Sequence, residues 1–321
     1  MKIIFVGSQT IGWMCFKELL KMNQEVVAAI TFKPPAHENW GHSVAEVAKE
    51  EGIPLFYCTD INSKEIVEEL RKFEPDLMLV VGWRWLIKKE VFNMPKLGTF
   101  GLHASLLPKL RGYASINWAV ITDEKYTGIS LFCIGEGIDT GDIIGQEKVI
   151  IDEKDDIASL KNKVEIAAVK LTRKYLPLIE NGTAQRIKQD HTKATYGCSR
   201  TPDDGYINWN KSSRYLYNFI RALTKPYPCA FTFYKGTKIF VLKASPYNES
   251  PKYVGTAGQI AMRIKGKGVV IVTGDGMILL ERVQAEGEGE IDAYNYFKTT
   301  RGRLGLNIHD LYEMLGESNK K

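Results

Sequence analysis

No CxxC pair occurs anywhere in the chain, although it holds five cysteines, Cys15, Cys58, Cys133, Cys198 and Cys229. Odd in number and widely spaced, they offer neither a zinc-binding nor a dithiol redox spacing and read as thiols of a reducing compartment. Long apolar runs are missing too. The N-terminal MKIIFVG is too short for a signal-peptide core, and no run reaches the length that spans a bilayer. The expectation is a cytoplasmic protein with no membrane partner. Standard nucleotide loops are also absent: the glycines of GSQTIG, Gly7 and Gly12, fit neither G-x-G-x-x-G nor G-x-x-x-x-G-K-[ST], because Trp13 stands where the lysine belongs. A tight strand-to-helix turn is expected there, without NAD or ATP. Charge of one sign is scarce as well. The 43 Lys and Arg against 38 Asp and Glu leave +5, which suits an anionic ligand without demanding nucleic acid.

What is present is ordinary globular material, 44% hydrophobic and 25% charged over 321 residues, enough for two cored domains. KIIFV (2–6), VVAAITF (26–32) and DLMLVV (76–81) are apolar without alternation, as parallel strands covered on both faces are. Helical spacing lies between them, in WMCFKELLKM, SVAEVAKEEG and NSKEIVEELRKF, the last with Asn62 and Glu65 spaced as a capping box. This rhythm predicts a doubly wound, mostly parallel α/β domain. A long helix over 157–182 ends in Asn-Gly, a stop signal, and the polar stretch 184–203 reads as a linker. Beyond it a helix (212–224) precedes short β-like runs, AFTFYKG, TKIFVLKA, KGVVIVTGDG and MILLERVQ, joined by glycine turns. These predict a small antiparallel, OB-like β-barrel. The expected division is 1–183, linker 184–203, and 204–321.

Two constellations carry chemistry. His103 ends the β-like run TFGLHA, and the carboxyl ends of strands in open α/β sheets are where ligands bind. GEGIDTGDII (135–144) sets Asp139 and Asp142 in a turn with three glycines, where backbone can approach a ligand closely. Alone, the histidine reads as structural and the turn as a plain hairpin. Together, with no serine or cysteine nucleophile elbow and no metal-ligand spacing, they suggest direct acyl transfer. His103 would take the proton of the nucleophile and Asp139 would stabilise the imidazolium.

LHASLLPKLRGYASINWAVI followed by TGISLFCIGEGIDTGDII resembles the signature of the tetrahydrofolate-dependent formyltransferases, Asn-x-His-x-Ser-Leu-Leu-Pro and later Asp-x-Gly-Asp. VVGWRWLIKKEVF is similar to the family's folate-facing loop, and RTPDDGYINWNKSSRYLYNFIRALTKPYP to the opening of its C-terminal domain. The resemblance implies formyl transfer from N10-formyltetrahydrofolate to a primary amine, without a metal. It implies catalytic roles for His103 and Asp139, and a donor site formed by Trp85, Leu86, Ile87 and the turn of Gly137, Ile138 and Asp139. The departure is Gly101, where the family has an asparagine that donates to the developing oxyanion. Losing one such donor typically costs about 2.7–4 kcal/mol, or roughly 10² to 10³ in rate. Either a backbone N–H, a water or a side chain such as Asn117 replaces it, or the enzyme is slow, or the chain no longer catalyses this reaction.

Two acceptors compete. A tRNA-reading enzyme of the family carries a basic insertion after the second strand, but TFKPPAHENWGHSVAEVAKEEG has only Lys33 before Lys49. Neutralised phosphates give nucleic-acid binders their affinity, so this argues against methionyl-tRNA, with RIKGKG and RGR as the contrary signal. A nucleotide-linked amino sugar needs few cations. Arg111 and Arg200 are the candidates for its diphosphate, and Ser105, Leu107, Pro108 and Asn117 for the rest of its pocket. The expected acceptor is a UDP- or dTDP-4-amino-4,6-dideoxyhexose. A weakened relative that binds folate or a nucleotide sugar without turnover is the competing class, and a homodimer through the C-terminal half stays open.

Overall fold

The computed structural model describes residues 1–34 and 41–306. Two compact units divide the chain. The first comprises 1–116, 125–152 and 160–199, and the second 117–124, 153–159 and 200 onward. The stretch 184–199 therefore packs with the first unit.

In the first unit, β1 (Lys2–Gly7), α1 (Gln9–Lys21), β2 (Glu25–Thr31), α2 (Val44–Glu50), β3 (Leu55–Tyr57), α3 (Lys64–Arg71) and β4 (Leu77–Val81) alternate. There follow α4 (Lys89–Phe92), β5 (Gly98–His103), β6 (Arg111–Gly112), α5 (Ser115–Ile121), β7 (Tyr126–Cys133), β8 (Ile143–Ile150), α6 (Ile157–Glu180) and β9 (Tyr196–Gly197), with α5 from residue 117 on and α6 up to 159 belonging to the second unit. Seven strands form one sheet in the order β3-β2-β1-β4-β5-β7-β8. The first five run parallel, while β7 and β8 pair antiparallel with their neighbours. The two faces of β1 explain its lack of alternation. Ile4 and Val6 join Val67 and Leu70 of α3 in one cluster, and Phe5 points the other way to stack on Phe16 of α1 at 4.9 Å. Ser8 ends β1, its N–H bonded to the Val81 carbonyl, as the turn reading of GSQTIG expects.

One helix start differs from expectation. Ser63, not Asn62, caps α3, accepting from the Ile66 N–H. The Asn62 side chain reaches across to the chain after β4, so the spacing with Glu65 forms no capping box there. The Asn-Gly stop of α6 falls at 181–182, and the helix ends at Glu180.

The second unit holds α7 (Ser213–Leu223) and strands β10 (Ala230–Tyr234), β11 (Thr237–Pro246), β12 (Ile260–Ile264), β13 (Gly268–Val272), β14 (Met277–Ala285) and β15 (Glu290–Asp292), then α8 (Ala293–Tyr296). The sheet is antiparallel in the order β10-β11-β14-β13-β12, with β15 on β14. Its antiparallel character is as the sequence predicts, and no ladder joins β12 to β10 among the described residues. RIKGKG lies in the β12–β13 hairpin. Trp209 is buried against β10, its indole N–H donating to Thr232 Oγ1 at 3.0 Å. No helix among the described residues is long and apolar enough to cross a membrane.

Candidate active site

β1, β4 and β5 run parallel, so their carboxyl ends at Gly7, Val81 and His103 open toward one edge of the sheet. β7 is antiparallel and its Cys133 ends beside Phe100, at the far half of β5. The 135–142 turn nevertheless brings Asp139 back to His103, with Nδ1 to Oδ2 at 3.4 Å and side chains 11% and 19% exposed. His103 and Asp139 are thus adjacent, as expected from sequence. Asp142 is directed elsewhere, 3.7 Å from Lys188 Nζ.

The chain around the pair fixes the chemistry of each ring and carboxylate atom. His103 Nε2 lies 2.7 Å from the Leu110 carbonyl, which can only accept, so Nε2 carries the hydrogen. Nδ1 is left facing the carboxylate. Asp139 Oδ2 also accepts from the Gly112 N–H at 2.7 Å. Leu110, Gly112, Ala114 and Asp139 all have left-handed backbone, with φ of +52°, +82°, +50° and +52°. Three non-glycine residues in that region beside one histidine are the kind of strain that gathers at functional sites. Gly141 is a glycine by necessity, because a Cβ there would lie 1.8 Å from the Cys133 carbonyl oxygen.

Gly101 sits two residues before His103 on β5, opposite Phe132. A Cβ at this position would lie 2.7 Å from Ile134 Cδ1 and 2.9 Å from Phe132 Cε1. Apolar side chains cover the place where the expected amide would stand. The amide of Asn117, a residue expected to offer a substitute donor, is buried and already donates to the Ala222 carbonyl at 2.8 Å.

Other expected binding residues are engaged within the protein. Arg111 is 1% exposed. Its guanidinium donates to Gln189 Oε1 (Nε 3.1 Å, Nη2 2.6 Å), Tyr196 Oη (3.0 Å) and His191 Nδ1 (3.1 Å), so it cannot reach out to a diphosphate. Arg200 is half-buried over Trp118 and bonded to the Asp204 carbonyl, and burial holds its guanidinium below the usual range. The Ser105 hydroxyl, itself buried, donates to the Lys109 carbonyl, and Leu107 is core beside Phe132 and Ile143. Pro108 follows a cis peptide and accepts from the Thr195 N–H.

The 82–88 loop shows what sequence reading missed. Trp85 and Leu86 are exposed and Ile87 is buried in the core, so any binding by Ile87 is through its backbone. Trp85 meets Phe32 and Trp83 edge-on at 4.7 and 5.0 Å, and Trp83 Nε1 is buried with no hydrogen-bond acceptor among the described residues. Asn62 pins the loop from the α3 side, donating to the Leu86 carbonyl at 2.9 Å and accepting from the Lys88 N–H at 2.6 Å. Gly137 and Ile138 are exposed on the turn of Asp139. A cavity of about 340 Å³ lies apart from this crevice, by the amino-terminal half of β5 among Phe92, Lys96, Gly98, Phe100 and Arg186.

Residues 1–176 match the family described as formyl transferase, and residues 200–301 match the formyl transferase C-terminal domain. The chain belongs to the formyl transferase family. This formyltransferase is 31% identical over 312 residues to the methionyl-tRNA formyltransferase of Clostridioides difficile (strain 630), covering 95% of the chain and 99% of the relative. It is 36% identical over 258 residues to the bifunctional polymyxin resistance protein ArnA of Wigglesworthia glossinidia brevipalpis, covering 80% of the chain and 39% of that protein. Among solved structures, the N-formyltransferase from Helicobacter canadensis in complex with folinic acid and dTDP-3-aminofucose superposes with a TM-score of 0.67 at 24% identity, covering 89% and 99% of the two chains. WlaRD, a sugar 3N-formyl transferase, gives a TM-score of 0.67 at 22% identity over 90% and 99%. These likenesses show a shared fold.

Proposed function

We propose that this formyltransferase moves a formyl group from N10-formyltetrahydrofolate to the primary amine of a nucleotide-linked amino sugar, of the UDP- or dTDP-4-amino-4,6-dideoxyhexose type. The donor supplies the formyl carbon and a weakly basic nitrogen that needs a proton to leave. The 82–88 loop suits its flat pteridine, since Trp85 and Leu86 give exposed apolar surface and Trp83 Nε1 is a buried donor with no acceptor among the described residues. The exposed turn of Gly137 and Ile138 completes that side.

His103 does the proton work. With Nε2–H fixed on the Leu110 carbonyl, Nδ1 is the ring atom that takes the proton of the attacking amine. Asp139, 3.4 Å away, stabilises the imidazolium that results, and the proton then passes to the leaving nitrogen. Gly101 offers the oxyanion no side-chain donor.

The acceptor choice is carried by the stretch between Thr31 and Lys49, where Lys33 is the sole cation. Residues 35–40 of it lie outside the described residues. The basic hairpin adds support, because two of its cations are engaged locally: Arg263 donates to the Tyr294 carbonyl at 3.0 Å, and Lys267 pairs with Glu249 at 3.3 Å. The complex with dTDP-3-aminofucose named above favours a nucleotide-linked amino sugar, though with its amine at the 3 position. Methionyl-tRNA is the second reading, favoured by full-length relatives of that name at 31–32% identity.

Formyl transfer should be measured chromatographically with N10-formyltetrahydrofolate against UDP- and dTDP-amino sugars and methionyl-tRNA. The expected result is a formamido sugar. Faster formylation of methionyl-tRNA would replace the acceptor. Folate binding with no transfer to any amine would replace the enzyme with a binding protein. His103→Ala should slow the sugar reaction by roughly 10²-fold or more.

A further inference from the structure

Arg111 lies between two residues that hold the reacting pair. The carbonyl of Leu110 fixes His103 Nε2, and the N–H of Gly112 fixes Asp139 Oδ2. Its own side chain runs inward to Gln189 Oε1 through both Nε and Nη2. Gln189 is buried, and its amide nitrogen donates to the carbonyls of Asp139 at 2.8 Å and Gly141 at 2.6 Å. The turn bearing Asp139 is therefore held twice, once through its carboxylate and once through its backbone, and both holds meet at Arg111. The segment around Arg111 is stitched in turn to β9 and its approach. The Arg111 N–H donates to the Thr195 carbonyl, the Leu110 N–H to Thr195 Oγ1, and the Tyr113 N–H to the Gly197 carbonyl.

We propose that Arg111 and Gln189 are positioning residues that set the distance and angle between His103 and Asp139. The idea rests on the formyl-transfer reading of that pair. Its physical content lies in the partners. A buried guanidinium prefers a carboxylate, yet Arg111 is given a neutral amide, a phenol and an imidazole nitrogen. An amide differs from a carboxylate in one respect that matters here: it accepts from Arg111 with its oxygen and still donates two hydrogens from its nitrogen. Only Gln or Asn can link a cation to a pair of carbonyls in this way. The left-handed Asp139, at φ +52°, needs such a constraint to stay in place.

Gln189→Glu separates positioning from packing. A glutamate keeps an acceptor for Arg111 and adds an ion pair, so a role confined to burying Arg111 predicts equal or higher stability and full activity. Its second oxygen would oppose the carbonyls of Asp139 and Gly141 in place of the donor. The expected result is a variant that still folds with kcat down roughly 10- to 100-fold, as when a supporting hydrogen bond to a reacting group is lost, and a smaller change in KM. Hydrogen exchange should speed up in peptides covering 110–114 and 137–142 and stay unchanged elsewhere. Arg111→Lys, which cannot reach Gln189, Tyr196 and His191 together, should show the same exchange signature. Wild-type exchange at 137–142 in a folded Gln189→Glu variant overturns the proposal whatever the substrate is. His103→Ala is run alongside. Full activity in His103→Ala removes the reading on which the proposal rests, while a dead His103→Ala with a fully active Gln189→Glu removes the positioning role alone.

Discussion

A side chain at position 101 has no open space to enter. Phe132 faces Gly101 in register across β7 and is buried, and Ile134 closes over it, so the amide that the family signature places there would displace both. Overpacking of this kind typically costs about 1–3 kcal/mol. Gly101→Asn is therefore expected to lower the unfolding temperature and to leave kcat unimproved. Because Ile134 Cδ1 is the far end of a flexible side chain, the double change Gly101→Asn with Ile134→Ala should recover stability. Calorimetry and formyl-transfer kinetics on the single variant check the point. A wild-type melting temperature with a roughly 10²-fold gain in rate would show that Phe132 and Ile134 yield freely and that an oxyanion donor was the only thing missing. The sequence marks position 101 as the departure from the signature. It cannot mark the two side chains that fill it, since they arrive from β7 and the residue just beyond it.

The loop after β4 is held by an element that precedes it by a helix. Asn62 forms two hydrogen bonds to the main chain at 86 and 88, each worth about 1 kcal/mol net. If this loop carries the donor, Asn62→Ala should raise the KM for N10-formyltetrahydrofolate by roughly 5- to 10-fold, leaving kcat and the acceptor KM near wild type. An unchanged donor KM would move the donor off the loop. Elements of this kind divide what was legible from what was not. Runs such as DLMLVV read correctly because a strand buried on both faces needs no knowledge of its neighbours, and the His103 and Asp139 motifs read because each lies within a short local pattern. Asn62 reads locally as a cap, but Ser63, one residue on, does that work and the partners of Asn62 lie after the next strand. Arg111 reads as a phosphate ligand because a turn containing Pro, Arg and Gly looks exposed. Its burial depends on Gln189, His191 and Tyr196, which no local pattern joins to it.

Across the molecule, the five cysteines report how tightly each region is closed. Cys15 is wholly buried, and loss of water around it pushes its thiol up to about 12, while burial takes Cys58 up to about 11. Burial also raises Cys133 and Cys229, and Cys198 is exposed. Thiolate is the reactive form, so iodoacetamide at pH 8 should label Cys198 first and leave Cys15 unmodified until the chain unfolds, as mass spectrometry of tryptic peptides would show. The same shifts set the alkaline limit of stability. Cys15, Cys58, Cys133 and Cys229 each have a folded value above the unfolded one, so between the two values the unfolded chain binds fewer protons than the folded chain. Stability then falls as pH rises. For Cys15 that window runs from the ordinary thiol value of 9.0 to about 12. Denaturant midpoints should hold from pH 7 to pH 8 and fall above pH 9, and Cys15→Ala should flatten that fall even if it lowers the midpoint at pH 7. An alkaline slope identical in Cys15→Ala and wild type would show that another group governs unfolding at high pH.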